Sequence, residues 1–214
     1  NVYNVAVGFE AGQEITTGSS NTILGGLAGD SLTGADENVA VGFGALTTDT
    51  LGSRSVAIGE QALAVQNFTT ATQTYNTAVG FQAGAAVSVG ERNTLLGALA
   101  GDALTDSSFN VAVGYGALSL DTLGARSTAL GYNALANQNF TSATQAYNVG
   151  VGFGAAGNIT TGTLNTIVGS LAGDALTTGG DNVAVGYSAL SAEDAHGLNV
   201  AVGAQALRVQ NAGA

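Results

Sequence analysis

Apolar residues come in short bursts, each opened by Asn or Ser and closed by Gly: NVAVG, NTILG and SVAIG are typical. Within a burst the side chains alternate. The first and third positions hold Val, Thr, Ile or Leu, as in Val5 and Val7 or Val39 and Val41. The middle position usually holds Ala, as in Ala6, or Ile, as in Ile23. A two-residue alternation over so short a run predicts a strand from the residue after Asn to the residue after Gly. Stretches such as TTDTLGSR and LTGADE read as turns. A helix does not fit, because Gly and Thr interrupt every four to six residues.

The bursts are copies of one unit. The pattern Asn/Ser-x-x-x-Gly-x-x-Ala occurs twelve times, with glycines Gly8, Gly25, Gly42, Gly59, Gly80, Gly97, Gly114, Gly131, Gly152, Gly169, Gly186 and Gly203. The opening residues are Asn4, Asn21, Asn38, Ser55, Asn76, Asn93, Asn110, Ser127, Asn148, Asn165, Asn182 and Asn199. The closing alanines run from Ala11 to Ala206. Successive units are 17, 17, 17 and 21 residues apart, and the series then restarts. One repetitive segment, 1–214, thus contains superrepeats 4–75, 76–147 and 148–214. The longer unit carries the inserts QNFTTATQTY and QNFTSATQAY. Helical arrays need 33 residues or more per unit, whereas 17 suits one turn of a β-solenoid. The fold expected is all-β, twelve coils of 17/17/17/21 residues, rising about 58 Å at strand spacing.

Both faces of every strand are apolar. A slender coil buries one face in its own interior, and the other forms a greasy stripe along the rod. Stripes of this size are rarely left in water, so a partner chain is expected to cover it. The sequence leaves open which row points inward. The anchoring Asn residues are read as structural, satisfying turn backbone groups and one another in a stack.

Composition narrows the function. There is no Cys, Pro, Met or Trp, 33 residues are Gly, and the net charge is −11. No disulfide, thiolate metal site or cysteine nucleophile is available. Lacking proline suits a continuous ladder. The four bases, Arg54, Arg92, Arg126 and Arg208, are far apart in sequence, which argues against nucleic acid. No run of about 18 apolar residues suggests a membrane helix. The start, NVYNVAVG, reads as part of something longer. An acidic, weakly charged, Gly-rich chain fits an extracellular or virion surface.

NVAVGFGAL, SVAIGEQALA and STALGYNALA resemble the head repeats of trimeric autotransporter adhesins, and NTAVGFQAG (76–84) resembles the NTAVG-rich repeats of tailed-phage tail fibres. The resemblance covers all twelve units. It implies a left-handed β-roll, three parallel chains and a role in attachment to cell surfaces. The coils are longer than those usual in adhesin heads, and the four-unit superperiod favours a fibre shaft.

Few residues suggest other chemistry. Gly152-Phe-Gly-Ala-Ala-Gly157 matches G-x-G-x-x-G, but the following NITTGT is turn-like where a dinucleotide site needs a helix. His196, beside Asp194, lacks a positioned nucleophile and reads as a solvated loop residue. Asp30, Asp102 and Asp174 recur after LAG. Turn capping is favoured over calcium, which wants six to eight oxygens. Tyr3, Tyr75 and Tyr147 read as buried staples rather than sugar-stacking rings. Asn67, Asn139 and Asn158 open N-x-Thr sequons. The inserts are the widest excursions, so Asn67, Phe68, Asn139 and Phe140 are the first candidates for receptor contact.

The expected function is therefore a structural shaft or adhesion segment of a homotrimeric phage tail fibre or surface adhesin. It would contribute to attachment at a cell-surface glycan or protein, without enzymatic activity or cofactor. The alternative is a self-assembling extracellular solenoid filament with no receptor role. An ice-binding array is disfavoured, because only Thr22, Thr77, Thr94, Thr128 and Thr166 follow their anchors.

Overall fold

The computed structural model describes residues 2–192 and 195–209. Twelve three-residue strands form one parallel sheet: Val5–Val7, Thr22–Leu24, Val39–Val41, Val56–Ile58, Thr77–Val79, Thr94–Leu96, Val111–Val113, Thr128–Leu130, Val149–Val151, Thr166–Val168, Val183–Val185 and Val200–Val202. Each pairs with the next in chain order, in unbroken register. Val5 faces Thr22, Val39 faces Val56, and Val56 faces Thr77 across the longer unit. The protein is a parallel β-solenoid of about twelve turns built from tandem repeats. No helix occurs among the described residues, so none is long and apolar enough to cross a membrane.

The structure decides which row points inward. The middle residue of each strand is buried from Ile23 through Ala40, Ala57, Ala78 and Leu95 to Ala184 and Ala201. The alanine three residues after each repeat glycine is also buried, from Ala28 to Ala189. Core volume is kept constant by exchange. Rungs with Ile23, Leu95 or Ile167 at the strand centre add Leu32, Leu104 or Leu176 from the following turn. Rungs with Ala40, Ala57, Ala112 or Ala129 instead turn in Leu46, Leu63, Leu118 or Leu135. Each fully buried Leu or Ile contributes about 1.5–3 kcal/mol, and a thin coil has few such positions to lose.

The repeat glycine has a steric cause. At Gly97 the backbone has φ +134°, and an added Cβ would lie 2.5 Å from the carbonyl oxygen of Gly114 on the next rung. Rungs can stack at strand spacing only where that Cβ is missing. The anchors form a second column inside. Asn93 Oδ1 accepts from the backbone N–H of Asn110 (3.0 Å), and Asn110 Nδ2 donates to the carbonyl of Gly124 (3.0 Å). The same two bonds recur along the rod, with Asn21, Asn38, Asn165 and Asn182 all buried. Each anchor thereby closes its own turn and positions the next rung, which offsets the cost of burying an amide.

Candidate functional site

Three features mark the outer wall. The first is the row left facing outward by the strand alternation. Immediately after the repeat glycine stand Phe9, Phe43, Phe81, Tyr115, Tyr132, Phe153 and Tyr187, all exposed. Phe43 is 54% exposed and Tyr115 51%. Tyr115 and Tyr132 stack at 5.6 Å between centroids, and Tyr132 and Phe153 at 5.1 Å. Leu24, Ile58 and Val185 on the outward strand positions are exposed as well. The greasy stripe expected from the sequence is thus present on the single chain.

The second feature lies one corner earlier, at the residue before each anchor. Arg54, Tyr75, Arg92, Phe109, Arg126 and Tyr147 occupy that position on consecutive rungs. Every guanidinium sits over neighbouring rings: Arg54 over Tyr75 (5.7 Å), Arg92 over Tyr75 and Phe109 (5.9 and 5.4 Å), Arg126 over Phe109 and Tyr147 (5.3 and 5.7 Å). All six residues hold positive φ, between 51° and 66°. That region disfavours side chains by roughly 1–2 kcal/mol each, yet a chain with 33 glycines puts none in this column. The expectation that Tyr3, Tyr75 and Tyr147 are buried staples is corrected: all three are exposed. Arginines distant in sequence are brought into one line, because the solenoid turns sequence separation into a short vertical step. Arg54 donates to Glu37 (2.8 Å), to Gln73 Oε1 (2.9 Å) and to Tyr75 Oη (2.8 Å), and the bonds to Tyr75 and Glu37 raise its pKa further. Arg92 pairs with Glu91 at 2.5 Å.

The third feature is the insert. Residues Thr72–Gln73 pair with Gly52–Ser53, and Thr144–Gln145 with Gly124–Ala125, as two small parallel sheets outside the main one. Part of the turn TTDTLGSR is therefore a strand. Phe68 and Phe140 are only 6% and 5% exposed, which removes them as receptor contacts. They pin the insert to the coil. Asn67 is half-buried and Asn139 exposed, and the accessible tips are residues 69–71 and 141–143. Beneath each insert lies a polar network that the sequence reading missed. Asp49 is buried and accepts from the N–H groups of Gly52 and Phe68 (both 3.0 Å) and from Gln66 Nε2. Asp121 and Gln138 repeat the arrangement. Burial pushes the Asp121 carboxyl above its ordinary range, against the pull of its hydrogen bonds. Two residues were recoverable signals, since DTLG and QNF each recur at the superperiod.

Beside each insert is a cavity. One, of about 190 Å³, is lined by Asp36, Glu37, Arg54 and Gln73 among others. Its equivalent 72 residues later is about 470 Å³ and is lined by Asp106, Ser108, Phe109, Arg126, Thr144 and Gln145 among others.

The remaining sequence candidates stand apart. Asp30 accepts from Thr47 Oγ1 at 2.5 Å. Asp102 and Asp174 each leave one buried Oδ1 without a partner, and burial raises both carboxyls. No cluster of three metal-ligating side chains forms among the described residues. Gly152 is a stacking glycine, and 153–158 form a turn with no helix after it. The carbonyl of His196 accepts from Asn182 Nδ2 (3.2 Å), while Asp194 lies outside the described residues. Comparison with family models, curated proteins and solved structures gave no match. What the fold itself defines is a class: a tandem-repeat parallel β-solenoid with an apolar outer stripe.

Proposed function

We propose that this chain is a shaft segment of a homotrimeric tail fibre or surface adhesin on a virion or cell exterior. Three parallel copies would bring their outer stripes together, giving coils of 17 and 21 residues a shared dry axis. The observation that carries this reading is the row Phe43, Phe81, Tyr115, Tyr132, Phe153 and Tyr187, exposed along a single chain whose own core is already full. The row is broken at Glu60, Ala98 and Ser170 and is continuous from Tyr115 through Tyr132 to Phe153; exposed apolar surface of this kind is an interaction site or a liability. The column of strained Arg and aromatic residues and the protruding inserts stay available for contact with a receptor. The role of the rod is mechanical: a stiff ladder that spaces or presents the attachment surface. Sedimentation equilibrium tests it. A trimer mass is expected, and a folded, soluble monomer at micromolar concentration rejects the reading.

A further inference from the structure

The two equivalent cavities differ in the groups that line them, and Asp106 and Ala125 of the second stand where the first has Gly34 and Ser53. In the first, Arg54 Nε donates to the Glu37 carboxylate and its Nη1 donates to Gln73 and Tyr75. In the second, the residue in the place of Glu37 is Phe109, and the residue in the place of Asp36 is Ser108. Arg126, Gln145 and Tyr147 repeat the rest. Arg126 makes no side-chain hydrogen bond or ion pair among the described residues: no carboxylate stands in the place of Glu37, and the Tyr147–Gln145 pair does not extend to the guanidinium. Its guanidinium is instead held over two rings, an arrangement that orients the group and leaves its in-plane N–H donors unspent. Tyr147 Oη donates to Gln145 Oε1 (2.7 Å), which fixes that amide while leaving its Nε2 donors without a partner among the described residues. The cavity is also the larger of the pair, at about 470 Å³ against 190 Å³.

We propose that this second cavity binds a carboxylate-bearing saccharide, an inference that rests on the attachment role proposed above and names its ligand class. The sugar carboxylate takes the position on Arg126 that Glu37 takes on Arg54, where a charge-assisted pair with a guanidinium is already built. Hydroxyls meet the Gln145 amide, the Ser108 hydroxyl and the Asp106 carboxylate, a mixture of donors and acceptors suited to a ligand that offers both. The half-exposed edge of the Phe109 ring, whose two faces lie against Arg92 and Arg126, borders the apolar C–H groups of the sugar. The net charge of −11 disfavours long polyanions, whereas a short acidic saccharide seats one carboxylate at contact distance with the rest screened by salt. The first cavity, closed by its own Glu37, remains empty of ligand.

Isothermal titration of the assembled protein with trigalacturonic acid, galactotriose and succinate tests this. Trigalacturonic acid is expected to bind at one site per chain, with neither the neutral sugar nor succinate matching it. Arg126→Gln should weaken binding about tenfold or more, the loss of one charge-assisted hydrogen bond. The double change Asp36→Ser and Glu37→Phe removes the carboxylate that closes the first cavity, leaves Gly34 and Ser53 where the second has Asp106 and Ala125, and should raise the stoichiometry to two per chain, with the added site the weaker. This gain cannot come from misfolding. Absence of binding, equal binding of galactotriose or succinate, or an unchanged stoichiometry in the double variant overturns the proposal. Sedimentation of the same samples separates the two readings: a trimer that binds no acidic sugar loses only this inference, and a monomer that binds it loses only the shaft.

Discussion

Gln66 Nε2 lies 2.6 Å from Asp49 Oδ2 inside the coil, and the same amide nitrogen reaches Ser55 Oγ at 2.9 Å while its oxygen accepts from Asn76 Nδ2 at 2.9 Å. Ser55 is one of two places where the anchor column lacks its Asn. The glutamine spans that gap, and the buried aspartate holds the glutamine. Asp121, Gln138, Ser127 and Asn148 do the same in the next superrepeat. The long unit is thus a splice with its own parts. Asp121→Ala should leave the N–H groups of Gly124 and Phe140 and one N–H of the Gln138 amide without an acceptor in a buried site. At about 1–3 kcal/mol for each orphaned group, a loss of about 3 kcal/mol or more is expected in urea unfolding. Asp106→Ala, at the rim, should cost under about 1 kcal/mol. Equal effects of the two changes would show that the splice does not hold the insert.

The same carboxylate gives stability a pH signature. Burial raises the pKa of Asp121 in the folded chain, so folding favours its protonated form. Between the folded value and the ordinary carboxyl value near 3.9, the folded chain keeps a proton that the unfolded chain has lost. Stability therefore rises as pH falls through that window, and levels off below the ordinary value. Asp102 and Asp174 are shifted the same way by burial, so the three add. Thermal unfolding from pH 7 down should show a rising Tm, with a smaller rise in Asp121→Asn. A Tm that falls across the window, or an unchanged slope in the variant, contradicts the assignment.

The periodic parts of this fold were legible because each rung repeats one physical problem. Gly97 must lack a Cβ, and Asn110 must satisfy two backbone groups, so these residues recur and their spacing gives the solenoid. What repetition could not reveal was direction. Ala40 and Val41 are both apolar, and only the packing of Leu46 beneath the strand decides that Ala40 turns inward. Residues that repeat once per superperiod were harder. Asp49 and Gln66 looked like turn polarity, since nothing local says that a buried network lies between them. Phe68 lies in a loop by sequence and in the core by structure, because the Asp49 carboxylate bonds its N–H and pulls it in. The Arg column was invisible for the opposite reason. Arg92 and Arg126 are 34 positions apart in the chain, and the coil reduces that to two rungs.

The stacking glycines allow a graded test. Gly97→Ala combines a backbone at φ +134° with a Cβ 2.5 Å from the Gly114 carbonyl. Gly203→Ala has φ +125° but, among the described residues, meets nothing closer than the Ala206 Cβ at 4.0 Å. The first should therefore cost both strain and clash, about 3 kcal/mol or more, and the second strain alone, about 1–3 kcal/mol. Urea midpoints of the two variants, measured with the parent, read the difference. If Gly203→Ala is as damaging as Gly97→Ala, backbone conformation rather than rung contact explains the glycine column.

The outer stripe can be broken without touching the coil. Tyr132 sits between Tyr115 and Phe153 in the stack, and its ring is half out in water on the single chain. Tyr132→Asp removes stacking worth about 0.5–1.5 kcal/mol per pair, a loss one rung among twelve can absorb. Across a closed interface the same change buries an unpaired carboxylate, which costs about 3–5 kcal/mol. Three copies would meet it at one level of the axis. The expected result is a shift from trimer to monomer in sedimentation equilibrium, with the far-ultraviolet circular dichroism of a β-solenoid retained. Thr70→Asp at the insert tip, which is also exposed and gains the same charge, should leave the trimer intact. If Tyr132→Asp assembles with the concentration dependence of the parent, the chains meet elsewhere. The aromatic row would then need a partner other than a second copy of this protein.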